Sequence, residues 1–241
     1  MRLTRRETLA GLGALLLAGA LPRQVDAAGK TKKAAAAASA AAPAKPALTP
    51  VEEIWADLME GNRRFVEGKP TDRNLVQTRA QLAKGQKPKV MVLGCSDSRV
   101  SPTLVFDKSL GDLFVIRTAG NLADKIALGS LEYAAEHLGS KVLVVLGHEK
   151  CGAVAAAAAG GKMESPNLSA IVRKINPALK PLREKFKGDE LARLGVEANV
   201  QLVAKTIEEK SKLLGHLVEE GTLTIVKAVY RLETGEVVKL A

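Results

Sequence analysis

Apolar residues recur along this chain in two rhythms. From Glu52 to Val66, Ile54, Trp55, Leu58 and Phe65 fall at helical spacing, with acids at the front and Arg63-Arg64 at the back, a polarity that suits the helix dipole. A second helical stretch runs around Leu75–Lys84 and stops at Gly85. After Pro88 the rhythm changes. Val90-Met91-Val92-Leu93 is a short continuous apolar run, which predicts a strand buried on both faces. Leu113–Ile116 and Val142–Leu146 repeat that pattern, and Leu223–Tyr230 makes a fourth strand. Between the second and third runs, Ile126–Leu138 predicts a helix with Leu128, Leu131, Ala135 and Leu138 on one side, closed by Gly139. Cys151–Ala159 is an alanine-rich helix ended by Gly160-Gly161. The prolines in and around Asn167–Lys187 predict only short helices there, whereas Leu191–Leu214 predicts one long helix. Thr234-Gly235 turns the chain into a fifth strand, Glu236–Leu240, at an antiparallel edge. Strands alternating with helices predict an α/β domain, a central mostly parallel sheet of about five strands flanked by helices.

The first fifty residues follow neither rhythm. Arg5-Arg6 precedes an apolar stretch from Leu9 to Leu21, with small residues at Ala27-Ala28. Residues 1–28 thus have the parts of a removable signal peptide, and the paired arginines point to twin-arginine export and a periplasmic location. The apolar stretch is short and interrupted by glycines, so no stable membrane anchor is expected after cleavage. Residues 29–50 are mostly Ala, Lys and Pro, a composition that cannot bury a core and predicts a disordered linker. The folded domain is then 51–241.

This division changes the meaning of the charge. Residues 1–28 carry a net +2 and 29–50 a net +4, so the domain holds +4 of the total +10. That is too little to demand a nucleic-acid partner, and aromatic residues at 3% argue against a base-stacking surface. A mildly basic surface still draws small anions.

The chain has two cysteines and three histidines, and both cysteines and one histidine lie at the ends of predicted strands. Cys95-Ser96-Asp97-Ser98-Arg99 follows the first strand and His148-Glu149-Lys150-Cys151-Gly152 the third. Thiolates and imidazole suit zinc, and H-x-x-C lets one loop-to-helix turn supply two ligands while Cys95 arrives from another strand end. Two Cys and one His leave the fourth tetrahedral position open, as in a catalytic zinc site, where the metal lowers the pKa of bound water toward neutrality. In an exported protein a Cys95–Cys151 disulfide is the competing reading. Asp97 can face such a metal, and Arg99 can pair with it and keep it ionised. The plainer alternative for Asp97-Ser98-Arg99 is a helix-start cap before Pro102.

At these residues the chain closely resembles the β-class carbonic anhydrases. The resemblance spans most of 51–241 and is carried by Cys95-Ser96-Asp97-Ser98-Arg99-Val100, Gly111–Arg117 with Ala119-Gly120-Asn121, Ser130–Ala134, and Gly147–Ala153. It implies one zinc per subunit on Cys95, His148 and Cys151, a catalytic dyad of Asp97 and Arg99, and reversible hydration of carbon dioxide to bicarbonate and a proton. It also implies a homodimer or homotetramer with interfacial active sites. Gln86 matches a substrate-binding glutamine, Phe114 and Tyr133 match pocket walls reaching in from the partner subunit, and His137 matches a proposed proton shuttle. A bicarbonate-regulated subset of the family has Trp where this chain has Val92, so that regulation is not expected, although Arg117 matches the subset's arginine. Hydrolysis of carbonyl sulfide or carbon disulfide on the same scaffold, and a non-catalytic zinc or redox protein, are the alternative functions.

Overall fold

A computed structural model describes residues 48–241. The predicted signal peptide, 1–28, and nearly all of the predicted linker lie outside the described residues. The last of the linker belongs to the fold: Thr49 caps the first helix, α1 (Pro50–Val66), and Pro50 is its first residue. Thr49 and Glu52 form a reciprocal capping box, with Glu52 Oε2 accepting from the Thr49 N–H at 2.7 Å.

A short helix α2 (Leu75–Leu82) follows, then strand β1 (Val90–Cys95), helix α3 (Pro102–Val105) and strand β2 (Leu113–Thr118). A 3-10 turn (Ala119–Asn121) leads to α4 (Lys125–Glu136), β3 (Val142–His148) and α5 (Gly152–Ala159). The chain ends with α6 (Pro166–Leu179), α7 (Gly188–Lys210), α8 (Lys212–Glu219), β4 (Thr224–Tyr230) and β5 (Val237–Lys239). The five strands form one sheet in the order β2-β1-β3-β4-β5, parallel except for the antiparallel edge strand β5.

Every residue of β1 and β3 is buried, because alternate side chains enter two different cores. Met91, Leu93, Leu143 and Val145 pack under α4–α8; Val92, Val142, Val144 and Leu146 pack under α1, where Leu58 and Phe106 join them. Each fully buried Leu or Met contributes about 1.5–3 kcal/mol, which is why the central strands read as unbroken apolar runs. β2 departs from the expectation of a strand buried on both faces. It is an edge strand, and its apolar residues are only half-buried.

Two helical expectations are corrected. The segment holding Pro177 forms one helix of 14 residues, α6, rather than short pieces. Pro166 takes a first-turn position, where no N–H is needed, and Pro177 falls in the last turn, so neither proline breaks the middle of the ladder. The stretch predicted as one long helix, Leu191–Leu214, is broken at Ser211, which leaves helical geometry (φ −107°, ψ 103°) to cap α8 through the Leu214 N–H. Ser211 is buried, and its hydroxyl also donates to Glu132 Oε1 at 2.6 Å, tying the break to α4.

The strand order reverses direction between β1 and β3, and the crevice beyond their carboxyl ends is where open α/β sheets bind ligands. β1 ends at Cys95 and β3 at His148. Gly147 lets α7 close over this end of β3: a Cβ there would lie 2.5 Å from Val200 Cγ2.

Candidate metal centre

Cys95 ends β1, His148 ends β3, and Cys151 is the N-cap of α5. All three are buried, and their donor atoms lie within 4.8 Å of one another. Among the described residues they are the group able to hold a metal ion. Both cysteines are free thiols, against the disulfide alternative.

The imidazole is oriented by its own loop. His148 Nδ1 lies 2.8 Å from Glu149 O. A carbonyl only accepts, so Nδ1 carries the proton and Nε2 presents its lone pair to the sulfurs. Nε2 is buried and has no hydrogen-bond partner among the described residues. A lone pair left bare beside two thiols is the donor arrangement a soft divalent metal satisfies, so the residues fit zinc.

The three donors act on one another. The hydrogen bond from Cys151 holds the Cys95 thiolate well below the ordinary thiol range, and the same bond with burial drives Cys151 upward. Burial pushes His148 down, but the charge of Cys95 and the Glu149 carbonyl act the other way and leave its pKa raised. One sulfur ionises readily, and removing the second thiol proton calls for a compensating cation.

The backbone around Cys95 is held from several sides. The Gly120 N–H donates to Cys95 Sγ at 3.4 Å, and Asn199 Nδ2 of α7 donates to Gly120 O at 2.9 Å. Arg117 donates to Cys95 O through Nε at 2.8 Å and to Asp97 O through Nη2 at 2.5 Å. Asn199 was not among the expected site residues. Its sequence signal is a lone amide on the otherwise apolar face made by Val196, Val200 and Val203.

Asp97 and Arg99 form a bidentate pair: Nε to Oδ1 at 2.9 Å and Nη2 to Oδ2 at 2.7 Å, with the Arg99 N–H also on Oδ1 at 3.0 Å. Arg99 holds the Asp97 carboxyl well below the usual carboxylate range, although partial burial opposes it. Asp97 Oδ2 lies 3.9 Å from His148 Nε2, at the margin of the cluster. The helix-cap alternative does not apply, since Ser101 is the N-cap of α3.

Gln86, Phe114, Tyr133 and His137 are not brought to the cluster within one protomer. Phe114 pairs with Met91, four residues before Cys95 on β1, or roughly 13 Å along the sheet at strand rise. Tyr133 lies 6.3 Å from Phe114 between ring centres, and His137 5.2 Å from Tyr133. Gln86 sits in the exposed loop before β1, at the same amino-end edge.

The family model described as carbonic anhydrase matches residues 90–237. The chain is 38% identical over 199 residues to carbonic anhydrase 2 of Mycobacterium tuberculosis, covering 80% of this chain and 94% of that one. Among solved structures, the Coccomyxa β-carbonic anhydrase in complex with acetazolamide superimposes with a TM-score of 0.63 at 26% identity, over 77% of this chain and 85% of that one. Two tetrameric β-carbonic anhydrases from Sordaria macrospora share the fold, with a TM-score of 0.62 at 23% identity over 78% of this chain and 98% of that one.

Proposed function

The chain belongs to the β-class carbonic anhydrases, and on that premise we propose that it catalyses the reversible hydration of carbon dioxide to bicarbonate and a proton. The observation that carries this is the convergence of Cys95, His148 and Cys151 with the Asp97–Arg99 pair at their margin. Cys95, His148 and Cys151 would hold one zinc ion per subunit, whose Lewis acidity brings a water near the pKa needed for attack at neutral pH. Asp97, kept ionised by Arg99, is an acceptor only. It takes a hydrogen bond from the reacting water at Oδ2 and turns that water's lone pair toward the substrate. Arg99 holds the carboxylate by both oxygens and so keeps it from turning onto the metal. The test is zinc content and stopped-flow hydration on the purified protein. Stoichiometric zinc with rapid hydration is expected, and zinc-loaded protein without hydration would overturn the proposal.

The dyad has its own test. Arg99→Ala should keep its zinc, because Arg99 supplies no ligand atom, yet lose about a hundredfold in hydration rate by freeing Asp97 to misplace itself. Activity near that of the parent across the neutral range would remove the dyad from the mechanism. Since Asp97 is ionised well below neutrality, the rise of activity with pH belongs to the reacting water and not to Asp97.

We propose a homodimeric or homotetrameric assembly in which Gln86, Phe114 and Tyr133 of one subunit line the partner's site, with His137 beside them to pass protons outward. Their distance from the protomer's own cluster supports this, as does apolar surface left uncovered among the described residues: the half-buried edge strand β2, Leu75 and Val76 of α2, and Ile126 of α4, which is 80% exposed. We propose also that Arg5-Arg6 directs twin-arginine export to the periplasm. Arg5→Lys with Arg6→Lys should then leave the enzyme in the cytoplasm, and fractionation recovering the double variant undiminished from the periplasm would refute this.

A further inference from the structure

The two residues between His148 and Cys151 both send their side chains to the turn joining β4 and β5. The Glu149 carboxylate is fully used there: Oε1 accepts from Arg231 Nη1 at 2.9 Å and Oε2 from the Leu232 N–H at 3.1 Å. The Glu149 N–H donates to Tyr230 O at 3.0 Å, so this residue is gripped by main chain and side chain together. The turn is itself braced. The Arg231 N–H donates to Glu236 O at 2.7 Å and the Gly235 N–H to Arg231 O at 2.9 Å. Buried Asn62 of α1 donates to Gly235 O at 2.8 Å and accepts from the Val237 N–H at 2.9 Å.

What this bracing holds is the metal loop. The Glu149 carbonyl is the partner of His148 Nδ1, and the next carbonyl, of Lys150, accepts from Arg99 Nη2 at 3.3 Å. Lys150 takes the left-handed conformation, φ 52°, which an L-residue adopts only when its surroundings impose it. We propose that Glu149 and Arg231 form a positioning clamp that fixes the ring plane of His148, the turn into Cys151 and the seat of Arg99. Neither residue touches a reacting atom; both act through the backbone of residues 148–151. The pair is only 26% and 28% exposed, and Glu149 accepts a main-chain hydrogen bond as well. The neighbouring Lys150–Glu233 pair, 65% and 76% exposed, is an ordinary surface pair that positions little.

Glu149→Ala should lose about ten- to a hundredfold in zinc affinity, read by competition with a chromophoric chelator. The cobalt(II)-substituted variant should show shifted visible bands, because the sulfur–nitrogen ligand field is no longer held in one geometry. Arg231→Ala should do the same, and the double variant should be no worse than the worse single, as expected of residues acting as one unit. Glu149→Gln still accepts from the Leu232 N–H and should recover part of the loss; if Glu149→Ala does not fold, Glu149→Gln decides. Glu233→Ala, which breaks the neighbouring exposed pair without altering the metal loop, should stay within about twofold of the parent. A merely stabilising pair would lower the melting temperature without moving the cobalt spectrum, and that outcome, or unchanged zinc affinity in the Glu149 variants, overturns the clamp. The clamp presupposes the metal site proposed above. A parent protein that holds no metal overturns both, whereas a metal-loaded parent with unaltered variants overturns the clamp alone.

Discussion

Cys151→Ser should abolish stoichiometric zinc and lower hydration on the order of a thousandfold or more, while the protein stays folded. A serine hydroxyl is not deprotonated at neutral pH and is a poor zinc ligand, so Cys95 and His148 would be left to hold the ion alone. Loss of metal can be told from loss of fold here because of where Cys151 sits. It is the N-cap of α5 and makes no side-chain capping hydrogen bond. Serine is nearly isosteric and is a preferred N-cap residue, so the variant gains a means of capping that helix. Elemental analysis should find almost no zinc, while a thermal melt beside chelator-stripped parent should show equal or greater stability. Full zinc retention in Cys151→Ser would remove Cys151 from the ligand set.

The second large effect lies away from the candidate metal centre. Asp107 has φ 45°, its side chain is 3% exposed, and it gathers Arg64 Nε at 2.6 Å, Arg73 Nη2 at 2.6 Å and the Thr71 hydroxyl at 2.8 Å. Burial alone would raise its pKa, but the hydrogen bonds from Arg64, Thr71 and Arg73 outweigh burial and hold the carboxyl well below the usual range. Asp107→Ala leaves two partly buried guanidinium groups without their shared carboxylate, and replaces a residue that tolerates left-handed backbone with one that does so less readily. The expected cost is about 3–5 kcal/mol in urea unfolding at neutral pH. Asp107→Asn keeps the shape and tolerates the backbone, so its loss should be smaller and mainly electrostatic. A depressed folded pKa contributes stability that is whole above the unfolded value, about 3.9, and drains away as pH falls from there toward the folded value. The gap between parent and Asp107→Asn should therefore be wide at neutral pH and narrow in acid. An equal gap at both would show that the ionised carboxylate is not what holds α1 to this loop.

Much of this was legible in the sequence, for reasons that differ by element. The β1 and β3 runs announced themselves because both faces of a central parallel strand are buried. The clustering of Cys95, His148 and Cys151 was legible because Cys and His are scarce in this chain and these three fall at or just after strand ends. The break at Ser211 was not, because its stabilising partner, Glu132, is 79 residues away and no local periodicity registers it. No local pattern singles out Asp107, since its partners Arg64 and Arg73 lie 43 and 34 residues away in the chain. Nothing near Glu149 in the chain marks it either, because its partners Arg231 and Leu232 lie 82 and 83 residues further on.

Helix α2 has eight residues, none of them buried, with Leu75 and Val76 turned outward. A helix this short does not persist in water on its own propensity. If a second subunit covers it, its order is thermodynamically linked to association, and dilution melts it before the sheet loosens. Stability in this protein is then a function of protomer concentration rather than a constant of the chain.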